Sequence, residues 1–139
     1  MKRAVSDEIG GSIRIVSAYR TVAYQRGLFN RYLESDKMEN VLRYSAKAGY
    51  SEHHTGFAID IVAPNGSLRG FKGTKESDWV EKNAHKYGFI IRYTEENQSI
   101  TGYESEPWHL RYLGAEAATD MASKGIGSFE EYKVKFIDH

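Results

Sequence analysis

The tightest constraint in this chain is a carboxylate in an apolar place. Phe57-Ala58-Ile59-Asp60-Ile61-Val62 is a dense run of apolar, partly β-branched residues, and such a run reads as a buried strand. Asp60 stands in its middle. Taking a lone ionised carboxylate out of water costs several kcal/mol. The fold must therefore bring Asp60 a cation, a metal ion or several hydrogen-bond donors.

Candidate partners stand upstream and far downstream. His53 precedes the strand, with Gly56 between them as a turn, and His109 follows Trp108 late in the chain, shortly after Glu106. The chain has no cysteine, which excludes thiolate metal sites, disulfides and a cysteine nucleophile. A bound metal must be held by His, Asp or Glu. Two histidines and one aspartate make three ligands for zinc, with the fourth position open to water, the pattern of catalytic rather than structural sites. Zinc acidifies a bound water and polarises a carbonyl. A nearby carboxylate that is not a ligand, Glu106, can take that water's proton and pass it to a leaving amine.

Each residue also has a plainer reading. Alone, Asp60 is a structural acid bonded to backbone amides or an arginine, His53 a loop histidine, His109 a satisfied core histidine and Glu106 a solvated acid. The joint string changes the balance. Ser51-Glu52-His53-His54-Thr55-Gly56-Phe57-Ala58-Ile59-Asp60, with the distant Glu106-Pro107-Trp108-His109, follows S-x-H-x-x-G-x-A-x-D and E-x-x-H. This resembles the signature of the VanY-type D-alanyl-D-alanine carboxypeptidases and related zinc D,D- and L,D-peptidases of peptidoglycan. The likeness runs from about Ile13 to Leu113 and includes Ser17-Ala18-Tyr19-Arg20, Tyr24-Gln25, Gly49-Tyr50, Tyr87-Gly88-Phe89 and Arg92-Tyr93. It implies His53, Asp60 and His109 as zinc ligands, Glu106 as catalytic base, Arg20 as a catalytic and substrate-binding residue, and Ser51 and Gln25 as substrate contacts. Arg20 also fits on chemistry: a carboxypeptidase must recognise a free carboxylate, and arginine does so with two parallel hydrogen bonds. Its plainer reading is a structural ion pair, Ser51's a turn or cap residue, and Gln25's an exposed helix residue.

The resemblance implies zinc as cofactor and, as partner, a peptidoglycan stem peptide ending in D-alanine, from which the terminal D-alanine is hydrolysed. Alternatives are an L,D-carboxypeptidase or endopeptidase of the same family, a catalytically silent wall-peptide-binding module, and an interaction module without metal. The family usually carries a longer run-in before the arginine motif and often an export signal. Here Met1 to Asp7 has basic residues without a following hydrophobic region, and does not read as a signal peptide. Extracytoplasmic action, implied by the family, and a cytoplasmic location both stay open. Lys plus Arg and Asp plus Glu each number 19, so no global charge points to nucleic acid. No apolar run spans a bilayer, and a monomer is expected.

The fold expected is α+β, one domain over residues 1–139, with a small antiparallel sheet flanked by helices and the zinc site in a cleft on the sheet. The stretch to Gly11 reads as a frayed segment or helix remnant. Strands are expected over 13–17, 57–62, 89–93 and 108–113. Thr21 caps a helix to Leu33 with Tyr24, Leu28 and Tyr32 on one face. A second helix spans 36–47, Ser77 caps a third closed by Gly88, another spans 115–124, and Ser128-Phe129-Glu130-Glu131 forms a capping box. Glu106 and His109 would point to opposite faces of a straight strand, so Glu106 is expected before the strand proper, with a bend at Pro107. His54 reads as a rim residue, His85 as a surface residue and His139 as terminal. Tyr93 and Trp108 are candidates for the cleft wall.

Overall fold

A computed structural model describes residues 1–138; His139 lies outside them. The elements run α1 (Lys2–Ile9), β1 (Arg14–Ser17), α2 (Val22–Leu33), α3 (Met38–Tyr44), a 3-10 turn (Glu52–Thr55), β2 (Ala58–Val62), α4 (Lys75–Asn83), a second 3-10 turn (Ala84–Tyr87), β3 (Phe89–Tyr93), α5 (Gln98–Thr101), β4 (Glu106–Tyr112), α6 (Ala115–Ser123) and α7 (Phe129–Phe136). The strands form one antiparallel sheet in the order β1-β2-β4-β3. This is the expected α+β class.

The two faces of the sheet have different tasks. Ile61 of β2 and Leu110 of β4 turn towards α1 and α4, where Val5, Trp79 and Val80 complete the main core. Side chains alternate along a strand, so Asp60, His109 and Arg111 turn the other way. On that second face Ile90 packs against Ala118, Met121 and Tyr132 of α6 and α7, which leaves the rest of the face for polar side chains.

Several local expectations are corrected. The N-terminal stretch is a docked helix: Val5 is fully buried, the Trp79 indole donates to Glu8 Oε2 at 2.8 Å, and Gly10 ends the helix at φ 57°. In α2 the buried residues are Gln25 and Phe29, one step round from Tyr24, Leu28 and Tyr32. Thr21 caps that helix as expected, accepting from the Tyr24 amide. α3 is shorter than expected because Ser45 is already extended, at φ −145° and ψ 130°. Thr74, not Ser77, caps α4: its hydroxyl accepts from the Ser77 amide at 3.1 Å, since a cap bonds the amide three residues on. His85 is half-buried and lies near Thr119.

Glu106 is the first residue of β4, not a residue ahead of it. Ile91 pairs with Leu110, but Tyr93 pairs with Glu106. The chain advances further on β4 than on β3, and this irregularity breaks the alternation of faces. Pro107 lies within it; a residue without an amide donor is tolerated where ladder bonding is interrupted.

Ile61→Ala should cost about 2–5 kcal/mol of stability, because the methyl groups lost are fully enclosed. Ile15→Ala, on the exposed edge strand β1, should stay within about 0.5 kcal/mol. Urea unfolding of the two variants checks this difference.

Candidate active site

Asp60 and His109 are direct cross-strand partners in β2 and β4, so the pleat puts both side chains on one face. His53 arrives from the 3-10 turn just before β2. Ser51 caps that turn, its hydroxyl accepting from the His53 amide at 3.3 Å, and Gly56 ends it at φ 75°, a conformation glycine adopts without a Cβ clash. His53, Asp60 and His109 are all buried. His53 Nε2 lies 3.2 Å from Asp60 Oδ2, and His109 Nδ1 lies 3.4 Å from Asp60 Oδ1.

Three backbone contacts stitch the arginine segment to this turn. The Arg20 amide donates to the His53 carbonyl at 3.1 Å. His53 Nδ1 lies 2.6 Å from the Ala18 carbonyl and His54 Nδ1 lies 2.8 Å from the Arg20 carbonyl. A carbonyl only accepts, so His53 Nδ1 carries a proton, and Nε2 is the ring atom on the Asp60 side. His54 thus braces Arg20 through its backbone carbonyl.

Arg20 donates to Ser17 Oγ at 2.8 Å, Gln25 Oε1 at 3.3 Å and Asp60 Oδ2 at 2.7 Å. The structural ion pair considered for it is therefore present. Gln25 is buried and committed at both ends, its Nε2 donating to the Ala46 carbonyl at 2.8 Å. Glu106 Oε2 stands 3.4 Å from His109 Nδ1, on the same side of that ring as Asp60. Arg20, Gln25, Ser51 and Glu106 line one groove with the two histidines and Asp60, and Tyr93 and Trp108 are among its walls.

Charges in the cluster depend on one another. Burial alone would raise the Asp60 carboxyl, but His109 and His53 hold it well below the usual carboxylate range. Burial alone would lower the His109 imidazolium, but Asp60, Glu106 and Glu52 around the ring outweigh that and raise it from 6.5 to about 10. Three carboxylates meeting on one imidazole favour a cation there.

The same donor set fits a metal ion. His53, Asp60 and His109 each offer one ligand atom, all within 4.8 Å of one another. Tetrahedral ligands about 2.0–2.2 Å from zinc stand roughly 3.3 Å apart; His53 Nε2 lies near that distance from one Asp60 oxygen and His109 Nδ1 from the other. Asp60 Oδ1 is buried without a hydrogen-bond partner among the described residues, an unusual state for a buried oxygen and one that a cation would relieve.

The sequence model of the family described as VanY, D-alanyl-D-alanine carboxypeptidase, matches residues 1–115. The chain belongs to the VanY family. It is 37% identical over 131 residues to a D-alanyl-D-alanine carboxypeptidase of Enterococcus faecium, a match covering 92% of this chain and 39% of that protein. The chain thus spans well under half the length of this relative. Among solved structures it is similar to the LD-carboxypeptidase LdcB, with 37% identity and a TM-score of 0.83 over 94% of this chain and 62% of that one. It is also similar to a variant of the vancomycin-resistance D,D-pentapeptidase VanY in complex with Zn(II), with 32% identity and a TM-score of 0.78 over 94% of this chain and 75% of that one.

The fold brings to the site one further carboxylate that the motif does not single out. Glu52 lies 3.2 Å from His109 Nε2 and accepts from Arg92 and Arg111. Burial would raise its carboxyl, but His109 and Arg92 hold it down at about 2. A signal for the arginines was available: each interrupts an apolar strand, the anomaly that singled out Asp60. Glu52, in a variable position of the motif, carried none.

His109 is raised relative to its ordinary value, so the folded, metal-free protein binds that proton more tightly than the unfolded chain. The contribution to stability is full below about pH 6.5 and is lost as pH rises through about 10. NMR titration of chelator-treated protein should find His109 still protonated at neutral pH; titration near 6.5 would contradict the charge balance.

Proposed function

We propose that the chain is a zinc-dependent carboxypeptidase that hydrolyses the terminal D-alanine from peptidoglycan stem peptides. One observation carries this reading: three buried potential ligands, His53, Asp60 and His109, converge beside a carboxylate, Glu106, that lies 3.4 Å from His109. Membership of the VanY family, the name of the Enterococcus faecium relative and the Zn(II) complex of a similar structure support it.

His53 through Nε2, Asp60 through a carboxylate oxygen and His109 through Nδ1 would hold the ion. When bound, zinc supplies a Lewis acid that polarises the scissile carbonyl and acidifies a water. Glu106 takes the proton of the attacking water and returns it to the departing amine of D-alanine. Its half-buried position in the groove suits a base reached by substrate yet shielded from bulk water.

Arg20 orients the substrate. An arginine has five N–H groups; three are engaged with Ser17, Gln25 and Asp60, which leaves two for the peptide's carboxylate or carbonyl. Because those three bonds hold the guanidinium, little side-chain freedom is lost on binding. Gln25 contributes by fixing Arg20 at the substrate side of the groove. The Ser51 hydroxyl accepts from His53 and retains its own O–H to donate to the peptide.

Glu106→Gln should lower kcat about 10²–10⁴-fold, the span of a positioned acid–base group, while zinc content stays at one ion per chain. The assay is release of free D-alanine from a pentapeptide ending in D-alanyl-D-alanine, with a tetrapeptide alongside. Unchanged turnover in the variant would contradict the role of Glu106. Release only from the tetrapeptide would assign L,D-specificity instead. Arg20→Lys keeps the charge but loses the planar fork, and should lower kcat/KM at least about tenfold.

A further inference from the structure

Glu52 is the neighbour of His53 in sequence, yet its carboxylate reaches the far side of His109. Oε1 accepts from Arg92 Nε at 2.7 Å and from Arg111 Nη1 at 3.1 Å. Oε2 lies 3.2 Å from His109 Nε2. Arg92 turns its other edge to Glu130 of α7 and donates through Nη1 and Nη2 at 3.0 and 2.6 Å. Two carboxylates and two guanidiniums interlock there, and their formal charges cancel. The cluster holds Glu52 ionised and in place without requiring a charged imidazole.

An ionised carboxylate is an acceptor only. The proton shared by Oε2 and Nε2 therefore resides on the nitrogen. In a neutral ring this leaves the lone pair on Nδ1, the atom 3.4 Å from Asp60 Oδ1. The opposite tautomer would set two acceptors against each other and free the wrong nitrogen. We infer that Glu52 is a positioning residue that fixes the ring and tautomer of His109 so that Nδ1 is its metal-binding atom, with Arg92 and Glu130 of α7 anchoring the carboxylate. Glu130 lies beyond residues 1–115, the stretch matched by the family. The last helix of this chain is thereby tied to the metal site through Glu130, Arg92, Glu52 and His109. This role rests on the metal-binding reading above.

Zinc affinity, measured by chelator competition on wild type, Glu52→Gln and Glu130→Gln, tests it. Imidazole 15N spectra of the zinc-loaded proteins give a readout that does not depend on turnover, and far-UV circular dichroism checks folding. Wild type should coordinate through His109 Nδ1 with a proton on Nε2. Glu52→Gln should bind zinc about 10–100-fold more weakly, the usual loss when a ligand's outer hydrogen-bond partner is changed. Glu130→Gln should show a smaller loss in the same direction. If Glu52→Gln does not fold, Glu52→Asp takes its place; it keeps the charge but draws the carboxylate back, and should still weaken zinc binding. Wild-type affinity and spectra in the folded Glu52 variant, or coordination through Nε2 in wild type, would overturn the role of Glu52 while leaving the metal site intact. Wild-type protein that takes up no zinc would overturn the metal reading and this role together.

Discussion

The buried Asp60 carboxylate governs this structure. It is 2% exposed, in a strand whose other face is hydrocarbon, and an ionised group there persists only with partners. One oxygen receives Arg20 at 2.7 Å and lies 3.2 Å from His53; the other faces His109 with no hydrogen bond of its own among the described residues. β1 delivers Ser17, which steadies Arg20, β4 delivers His109 and the turn before β2 delivers His53. The site and the centre of the sheet are one arrangement.

Core packing and site chemistry share the same strands. In β4, Leu110 enters the core while its neighbours His109 and Arg111 face the polar side. A slip of one residue between β2 and β4 would exchange these sets, burying charges in hydrocarbon and removing His109 from Asp60. The apolar face thus sets the register, and the register aligns the ligands. Where regular alternation would have sent Glu106 away from His109, the irregular pairing of β3 with β4 brings it back.

Much of this was legible from local chemistry. The strand around Asp60, the caps Thr21 and Ser128, and the grouping of His53, Asp60 and His109 follow from apolar patterning, short side-chain-to-amide bonds and a spaced motif. What escaped depends on distant parts of the chain. The stretch before Gly11 is polar enough to look frayed and becomes a helix because Val5 finds a core built from β2, β4 and α4. Gln25 looks like an exposed helix residue until Arg20 and the Ala46 carbonyl occupy its amide. Glu52 meets its partners across 40, 57 and 59 residues, and no local pattern announces contacts at that range. The shift at Pro107 arises from pairing between strands, which one strand's composition does not reveal.

The most direct measurement is anomalous diffraction at the zinc edge from crystals of the purified chain. A single peak is expected among His53 Nε2, Asp60 and His109 Nδ1, at about 2.0–2.2 Å from each, with one further position held by a non-protein ligand. A peak elsewhere on the molecule, or zinc enclosed by four protein ligands with no open position, would contradict the account.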